Sequence, residues 1–352
     1  MKRKKAINFL TVTLFIGILL TFTVYIGVGT LFDADADEGD KKGFNGMFYS
    51  ENFLSDLVRY VDYKVFGHID GEGYIIGEDD WVFETVDSQN GYERLLDYVG
   101  ACPFEEEELD RISNVIANRA ELYENAGVQY VLVVIPDAMT VCTDKVPGYL
   151  GNRSENARLA QLTARLAGQG VDEFIDPTDA MRLGADGIVT YNNTENSINA
   201  YGAYCIYNTV VSKFMADTGL EVERLKRNDV DFYTRLTDGK TVARNAGVQG
   251  IIKNSTVSLS DNVTKNYTVL PSVGGAVQTR RDDAGENSTE YSVVVECTNS
   301  WDRILLTPYF SNTFDNVMYR DRLASDYYSA SSSGVDLVVQ LIRESELRQL
   351  LG

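Results

Sequence analysis

The chain has 352 residues, 44% of them apolar and 24% charged, with 29 Gly, 6 Pro and 4 Cys; that excludes collagen, a disordered polymer and a disulfide-dense miniprotein, and leaves material for a substantial core. Thirty-two Lys and Arg against 52 Asp and Glu give a formal charge of -20, so nucleic acid is not an expected partner, because a phosphate backbone calls for clustered cations. The single histidine, His68, excludes His-rich metal sites, and neither a metal nor another cofactor is expected.

Lys2, Arg3, Lys4 and Lys5 precede Ala6 to Phe32, 27 residues without a charge. At about 1.5 Å per residue this stretch spans a hydrocarbon core of about 30 Å. The cations place the N-terminus in the cytoplasm, so the expectation is a single-pass cell-membrane protein whose domain is extracytoplasmic. A cleavable signal peptide ending near Ala34 and Ala36 is the rival, although such apolar regions usually run shorter. Residues 33–48 read as an acidic linker, with Asp33, Asp35, Asp37, Glu38 and Asp40 as a solvated spacer. The domain then covers residues 49–352.

Asn52 to Tyr63 has helical spacing, and Gly71 to Gly77 followed by Trp81-Val82-Phe83 has strand and turn character. Pro103 and Glu105 to Glu108 open a long helix with an apolar stripe through Leu109, Ile112, Val115, Ile116 and Leu122, closed by Gly127. Gln129 to Ile135, ended by Pro136, reads as a buried parallel strand. Then follow a helix near 156–167, a strand at 173–175 and a helix near 200–217. Beyond them the pattern predicts a strand at 291–296, a helix near 304–314, strands at 317–319 and 336–342, and a terminal helix. Strands alternating with helices of 10–15 residues predict a doubly wound, mostly parallel α/β sheet. Residues 228–290, rich in Asn, Ser, Thr and Gly, read as a β-rich insertion of loops and hairpins.

Ligands of such sheets gather beyond the carboxyl ends of the strands. Three loops therefore matter: Pro136 to Pro147, Tyr191 to Gly202, and Cys297 to Trp301. Ser300 directly follows a strand and precedes a helix, as a nucleophile on a strand-to-helix turn would. It is equally an ordinary N-cap residue. Cys102, Cys142, Cys205 and Cys297 permit two disulfides, in any of three connectivities. Tyr191 and Tyr201 are candidate sugar-stacking rings, and core packing is their plain alternative.

Several segments together resemble the alginate O-acetyltransferase-like, SGNH-hydrolase-like domains. These are Gly77 to Phe83, Ile135-Pro136-Asp137 with Thr140-Val141 and Pro147, and Thr194-Glu195-Asn196-Ser197-Ile198-Asn199-Ala200-Tyr201-Gly202-Ala203-Tyr204. Thr298-Asn299-Ser300-Trp301, Val317 to Asp321 and Val335 to Val339 with Glu344 and Leu347 complete the series. The resemblance implies an SGNH-hydrolase-like fold and acyl transfer to an exported or cell-surface polysaccharide, beside a multi-span membrane O-acyltransferase. It also implies a catalytic set at Ser300, Glu195 and Ser197, with Asn199, Asn299, Tyr191 and Tyr201 near the substrate.

At this set the chain departs from the pattern. Glu195 stands where the family has Asp, Ser197 where it has the general-base His, Ile198 where it has Trp, and Asn299 where it has Asp. A serine hydroxyl holds its proton far above pH 7, and imidazole is the side chain best matched to removing it. Loss of the His from a hydrolase triad costs about a millionfold in turnover. The expectation is therefore an accessory or binding role with impaired or lost catalysis. The alternative is an active polysaccharide O-acetyltransferase or acetylesterase in which Glu195 or His68 serves Ser300.

Overall fold

The computed structural model describes residues 73–351, apart from 88, 183–186, 261–264, 274, 283–290 and 322–333. The expected membrane segment, the acidic linker, the helix over Asn52 to Tyr63 and His68 all lie outside the described residues. Among the described residues, no helix is long and apolar enough to cross a membrane.

A seven-stranded sheet organises the domain, in the order β4-β3-β11-β9-β10-β8-β7. The strands are β3 (Gln129–Ile135), β4 (Phe174–Ile175), β7 (Tyr267–Val273), β8 (Ala276–Arg281), β9 (Ser292–Cys297), β10 (Asn316–Arg320) and β11 (Leu337–Arg343). β4, β3, β11, β9 and β10 run parallel. β8 and β7 add on antiparallel, so the sheet is mixed. These two strands belong to the stretch read from sequence as an insertion; they extend the main sheet instead of standing apart from it.

Both faces of the parallel part are covered, which is why its strands are continuous apolar runs. Successive residues of a strand point to opposite faces. Tyr130, Leu132 and Val134 of β3 join the core beneath α1 (Glu106–Asn125) and α2 (Arg158–Gln169). Val131, Val133 and Ile135 join the core beneath α3 (Ala200–Thr218) and α4 (Ser300–Thr313). α1 is held at its start by a capping box between Glu105 and Glu108. The apolar alternation breaks at Glu296 and Gln340, both buried. Gln340 donates to Glu296 at 2.8 Å and accepts from Tyr130 at 2.9 Å, and Arg320 pairs with Glu296 at 3.1 Å, so neither polar group is stranded.

Two buried tyrosines tie this core together. Tyr207 shares a hydrogen bond of 2.6 Å with Thr313, and Tyr309 donates to the Ala200 carbonyl at 2.7 Å, which ties α3 to α4. The terminal helix predicted from sequence is a 3-10 helix, Glu344–Leu351.

A smaller layer flanks the sheet. β1 (Tyr74–Ile76) pairs with β2 (Val82–Glu84), and β5 (Phe232–Asp238) pairs with β6 (Lys253–Leu259), both antiparallel. Ile76 and Val82 pack with Val242, Ala243, Ala246, Val248 and Ile252 in a satellite core. Two glycines permit the close approaches that this layer and the site need. A Cβ on Gly77 would sit 2.0 Å from the Lys145 carbonyl oxygen, and one on Gly202 would sit 2.4 Å from that of Thr190.

Candidate active site

The carboxyl ends of β3, β11 and β9 form one rim, where the chain has crossed from one side of β3 to the other. Ser300 stands on it as the exposed first residue of α4. Asn299 is the N-cap, its side chain accepting from the Trp301 amide at 2.9 Å. Trp301 is itself half exposed beside the serine. Thr298 donates its hydroxyl to Glu346. Asp302, buried in the first turn of α4, takes two hydrogen bonds from Arg343 at 2.7 and 2.9 Å. Burial opposes the Arg343 charge, and Asp302 more than restores it, so this guanidinium is held firmly protonated.

The second element of the site is the loop from Tyr191 to Asn199. Tyr191 bridges Ile198, the Asn192 amide donates to the Ser197 carbonyl at 2.9 Å, and the Asn199 amide donates to that of Thr190 at 3.0 Å. Asn196 takes the left-handed conformation (φ 53°), accepts from the Glu84 amide at 2.7 Å and donates to the Val82 carbonyl at 2.8 Å. Asn193 donates to the Asp80 and Lys253 carbonyls at 3.0 Å each, and Thr194 bonds Asn254 at 2.6 Å. The loop is thereby fastened to β2 on one side and to the β5–β6 hairpin on the other.

Within this frame the sequence-predicted residues fall in distinct places. Ser197 accepts from Asn192 Nδ2 at 3.1 Å, while Asn192 Oδ1 is buried without a partner. Glu195 is half-buried; burial raises its pKa above the ordinary carboxylate range, and the nearby Lys240 charge opposes that rise. Among the described residues, no hydrogen bond joins Ser300, Glu195 and Ser197 to one another. Asn199, 1% exposed, caps α3 by accepting from the Tyr201 and Gly202 amides at 2.9 and 3.1 Å. Tyr191, also 1% exposed, donates its hydroxyl to the Pro136 carbonyl. Tyr201 is buried against Phe232, with ring centroids 5.1 Å apart. All four cysteines are free thiols. Burial pushes Cys142 and Cys205 up to about 12 and raises Cys297 well above its ordinary value, so none of these three is a thiolate near neutral pH.

Sequence reasoning missed the charged cluster at the neighbouring strand ends. Arg94 reaches Glu84 at 2.9 Å, Asp87 at 2.7 Å and Asp137 at 3.2 Å. Glu344 accepts from the Asp137 amide at 2.7 Å and from Arg153 at 2.8 Å. Burial raises the pKa of Asp137 against the pull of Arg94 and raises Glu344 to about 7 against that of Arg153. The available signal was position: Asp137 and Glu344 come directly after the buried runs of β3 and β11. Among the described residues, no group of three or more His, Cys, Asp or Glu side chains is placed to hold a metal ion.

A mostly parallel sheet wound on both faces, with a serine on the turn after an inner strand, is the arrangement of an SGNH-hydrolase-like domain. Residues 74–266, more than half of the chain, match the family model described as SGNH hydrolase-like domain, acetyltransferase AlgX, and the chain belongs to that family. Among solved structures, it is similar to a DHHW family protein from Eubacterium siraeum, with a TM-score of 0.55 and 11% identity over 80% of this chain and 96% of that one. It is also similar to Bacillus cereus PatB1, with a TM-score of 0.51 and 10% identity over 78% of this chain and 97% of that one. PatB1 carrying a sulfonyl adduct gives a TM-score of 0.53 and 10% identity over 77% and 96%. At these identities the likenesses bear on fold. No curated protein sequence matches the chain.

Proposed function

We propose that this protein is a membrane-anchored, extracytoplasmic component of polysaccharide O-acetylation that binds its glycan and does not turn it over. Membership of the AlgX acetyltransferase family supports the link to O-acetylation. The uncharged stretch Ala6 to Phe32 behind four cations supports the anchor, and a multi-span membrane O-acyltransferase is the natural partner, since something else must then supply the acetyl group.

The observation that carries the loss of turnover is the surroundings of Ser300. Acyl transfer needs the hydroxyl proton to leave as the oxygen attacks. At the position matched to the family's base stands Ser197, whose hydroxyl bonds Asn192 instead and holds its own proton as tightly as Ser300 does. Glu195 has a raised pKa and no bond to either serine. Asn299 is spent on capping α4. What remains is a rim with a half-exposed Trp301 and an exposed serine, which is chemistry for holding hydroxylated rings.

The test is to purify the full chain in detergent, measure aryl-acetate hydrolysis, and measure binding to acetylated and deacetylated polysaccharide. The account expects saturable glycan binding and a background hydrolysis rate unchanged in Ser300→Ala. Hydrolysis at ordinary enzymatic rates, abolished in Ser300→Ala, would instead establish the active acetyltransferase or acetylesterase.

A further inference from the structure

The chain reverses its charge in one segment. Phe232 to Arg281, from β5 through β8, holds seven Lys and Arg, two Asp and no Glu, whereas the rest of the protein holds 25 basic and 50 acidic residues. β5 also breaks the rule that a strand buries at least one face. Tyr233, Thr234, Arg235 and Leu236 are consecutively exposed, with Leu236 at 70% and Tyr233 at 50%. Tyr233 and Arg235 share one face of the β5–β6 ribbon and Leu236 lies on the other, so beyond Phe232, which packs on the core, residues 233–236 stand clear of the domain as a rim. Arg235 has no carboxylate partner among the described residues. Arg244, Lys253, Lys265 and Arg280 are exposed nearby in sequence, and among the described residues Lys253 alone of these four pairs with a carboxylate, that of Asp238 at 2.6 Å.

We propose that the β5–β6 hairpin is a docking surface for an anionic lipid bilayer. An interfacial site combines apolar side chains that enter the headgroup boundary with cations that meet the lipid charge. Tyr233 and Leu236 supply the first, and Arg235, with Arg244 in the connection between β5 and β6, supplies the second. The acidic remainder of the protein is repelled by the same surface, so the field of the whole molecule turns the hairpin toward it. A soluble polyanion would use the cations but has nothing to offer Leu236, which favours the bilayer. Because the hairpin is bonded to the Tyr191–Asn199 loop through Asn193 and Thr194, docking sets the candidate site close to the membrane. The proposal does not depend on the chemistry at Ser300.

Amide hydrogen exchange of Phe232–Asp238 tests it in the full chain, bound to vesicles of phosphatidylcholine alone or of phosphatidylcholine with phosphatidylglycerol. The apolar N-terminal segment enters both kinds of vesicle, so the difference between them reports the hairpin. Docking slows exchange about tenfold or more on the anionic vesicles only. The slowing is lost in high salt and in Arg235→Glu, and weakened in Leu236→Ser, while exchange in β3 stays unchanged as the check on folding. Equal exchange on both vesicle types overturns the proposal. So does equal protection by a soluble polyuronate without lipid, which would give the surface to a polymer. Protection unaffected by salt or Arg235→Glu overturns it as well, and points to a strand-adding peptide partner on the free edge of β5.

Discussion

Two stretches of the same rim have been built in opposite ways. Beyond β3 and β11, Arg94, Arg153, Asp137 and Glu344 are packed together and bonded. Beyond β9 and along the Tyr191–Asn199 loop, uncharged serines and amides predominate, with Glu195 half-buried among them. The first stretch shows that this fold pairs buried charges wherever it needs rigidity. The second shows polar side chains in architectural roles: Asn199 and Asn299 cap helices, and Asn193 and Asn196 pin the loop.

The sharpest way to break the contrast is to strip the charged stretch of its centre. Arg94→Ala leaves Glu84, Asp87 and Asp137 without their shared cation in a largely buried setting, and should cost about 3–5 kcal/mol in denaturant unfolding. A loss below about 1 kcal/mol would mean the cluster is solvated and structurally idle.

The pH dependence follows in size. The folded pKa of Glu344 is raised to about 7 from its ordinary 4.5. The native state therefore binds a proton that the unfolded state releases between these values. Stability is greatest below about pH 4.5 and falls as pH rises toward 7, by at most about 3 kcal/mol for this group. Asp137 and Asp97, also raised by burial, act in the same direction. Urea titrations from pH 4.5 to 8 should show the decline, flattened in Glu344→Gln. A stability that climbs through this window, alike in both proteins, would contradict the assignment.

Asn199→Ala should cost about 2 kcal/mol, because it removes two cap bonds from α3 and the amide's bonds to the Val189 and Tyr191 carbonyls at 2.8 and 3.3 Å, and Asn199→Asp, which keeps the cap but turns a buried carboxylate toward those carbonyls, should not recover the loss. If Asn199 instead served a ligand, the unfolding midpoint would stay put and glycan affinity would fall. Smallest of all is Ser300→Ala, expected within about 0.5 kcal/mol of the parent, since the side chain is exposed and has no hydrogen bond among the described residues. A larger loss would reveal a structural partner for the serine.

The sequence makes the buried strands legible because a strand covered on both faces is an unbroken apolar run; β3 spans Gln129–Ile135 as the pattern predicts. The start of α4 is harder to read. The pattern predicts a helix near 304, but α4 opens at Ser300, because its first turn is partly solvent-facing and the cap rather than the stripe sets its boundary. The addition of β8 and β7 to the main sheet is a matter of register against β10, which no local pattern carries. The charged cluster is hidden for the same reason: Arg94 meets Asp137 43 residues away, and Arg153 meets Glu344 191 residues away. Each alone reads as a surface charge. The exposed rim of β5, too, follows from its pairing, among the described residues, with β6 alone.

Intact-mass measurement of the full chain after prolonged incubation with a fluorophosphonate tests the central claim most directly, because only an activated serine oxygen displaces fluoride from phosphorus. The account predicts an unmodified mass, identical for the parent and for Ser300→Ala. One phosphonyl group per chain on the parent, absent from Ser300→Ala, would show that some group does take the Ser300 proton, and would contradict it.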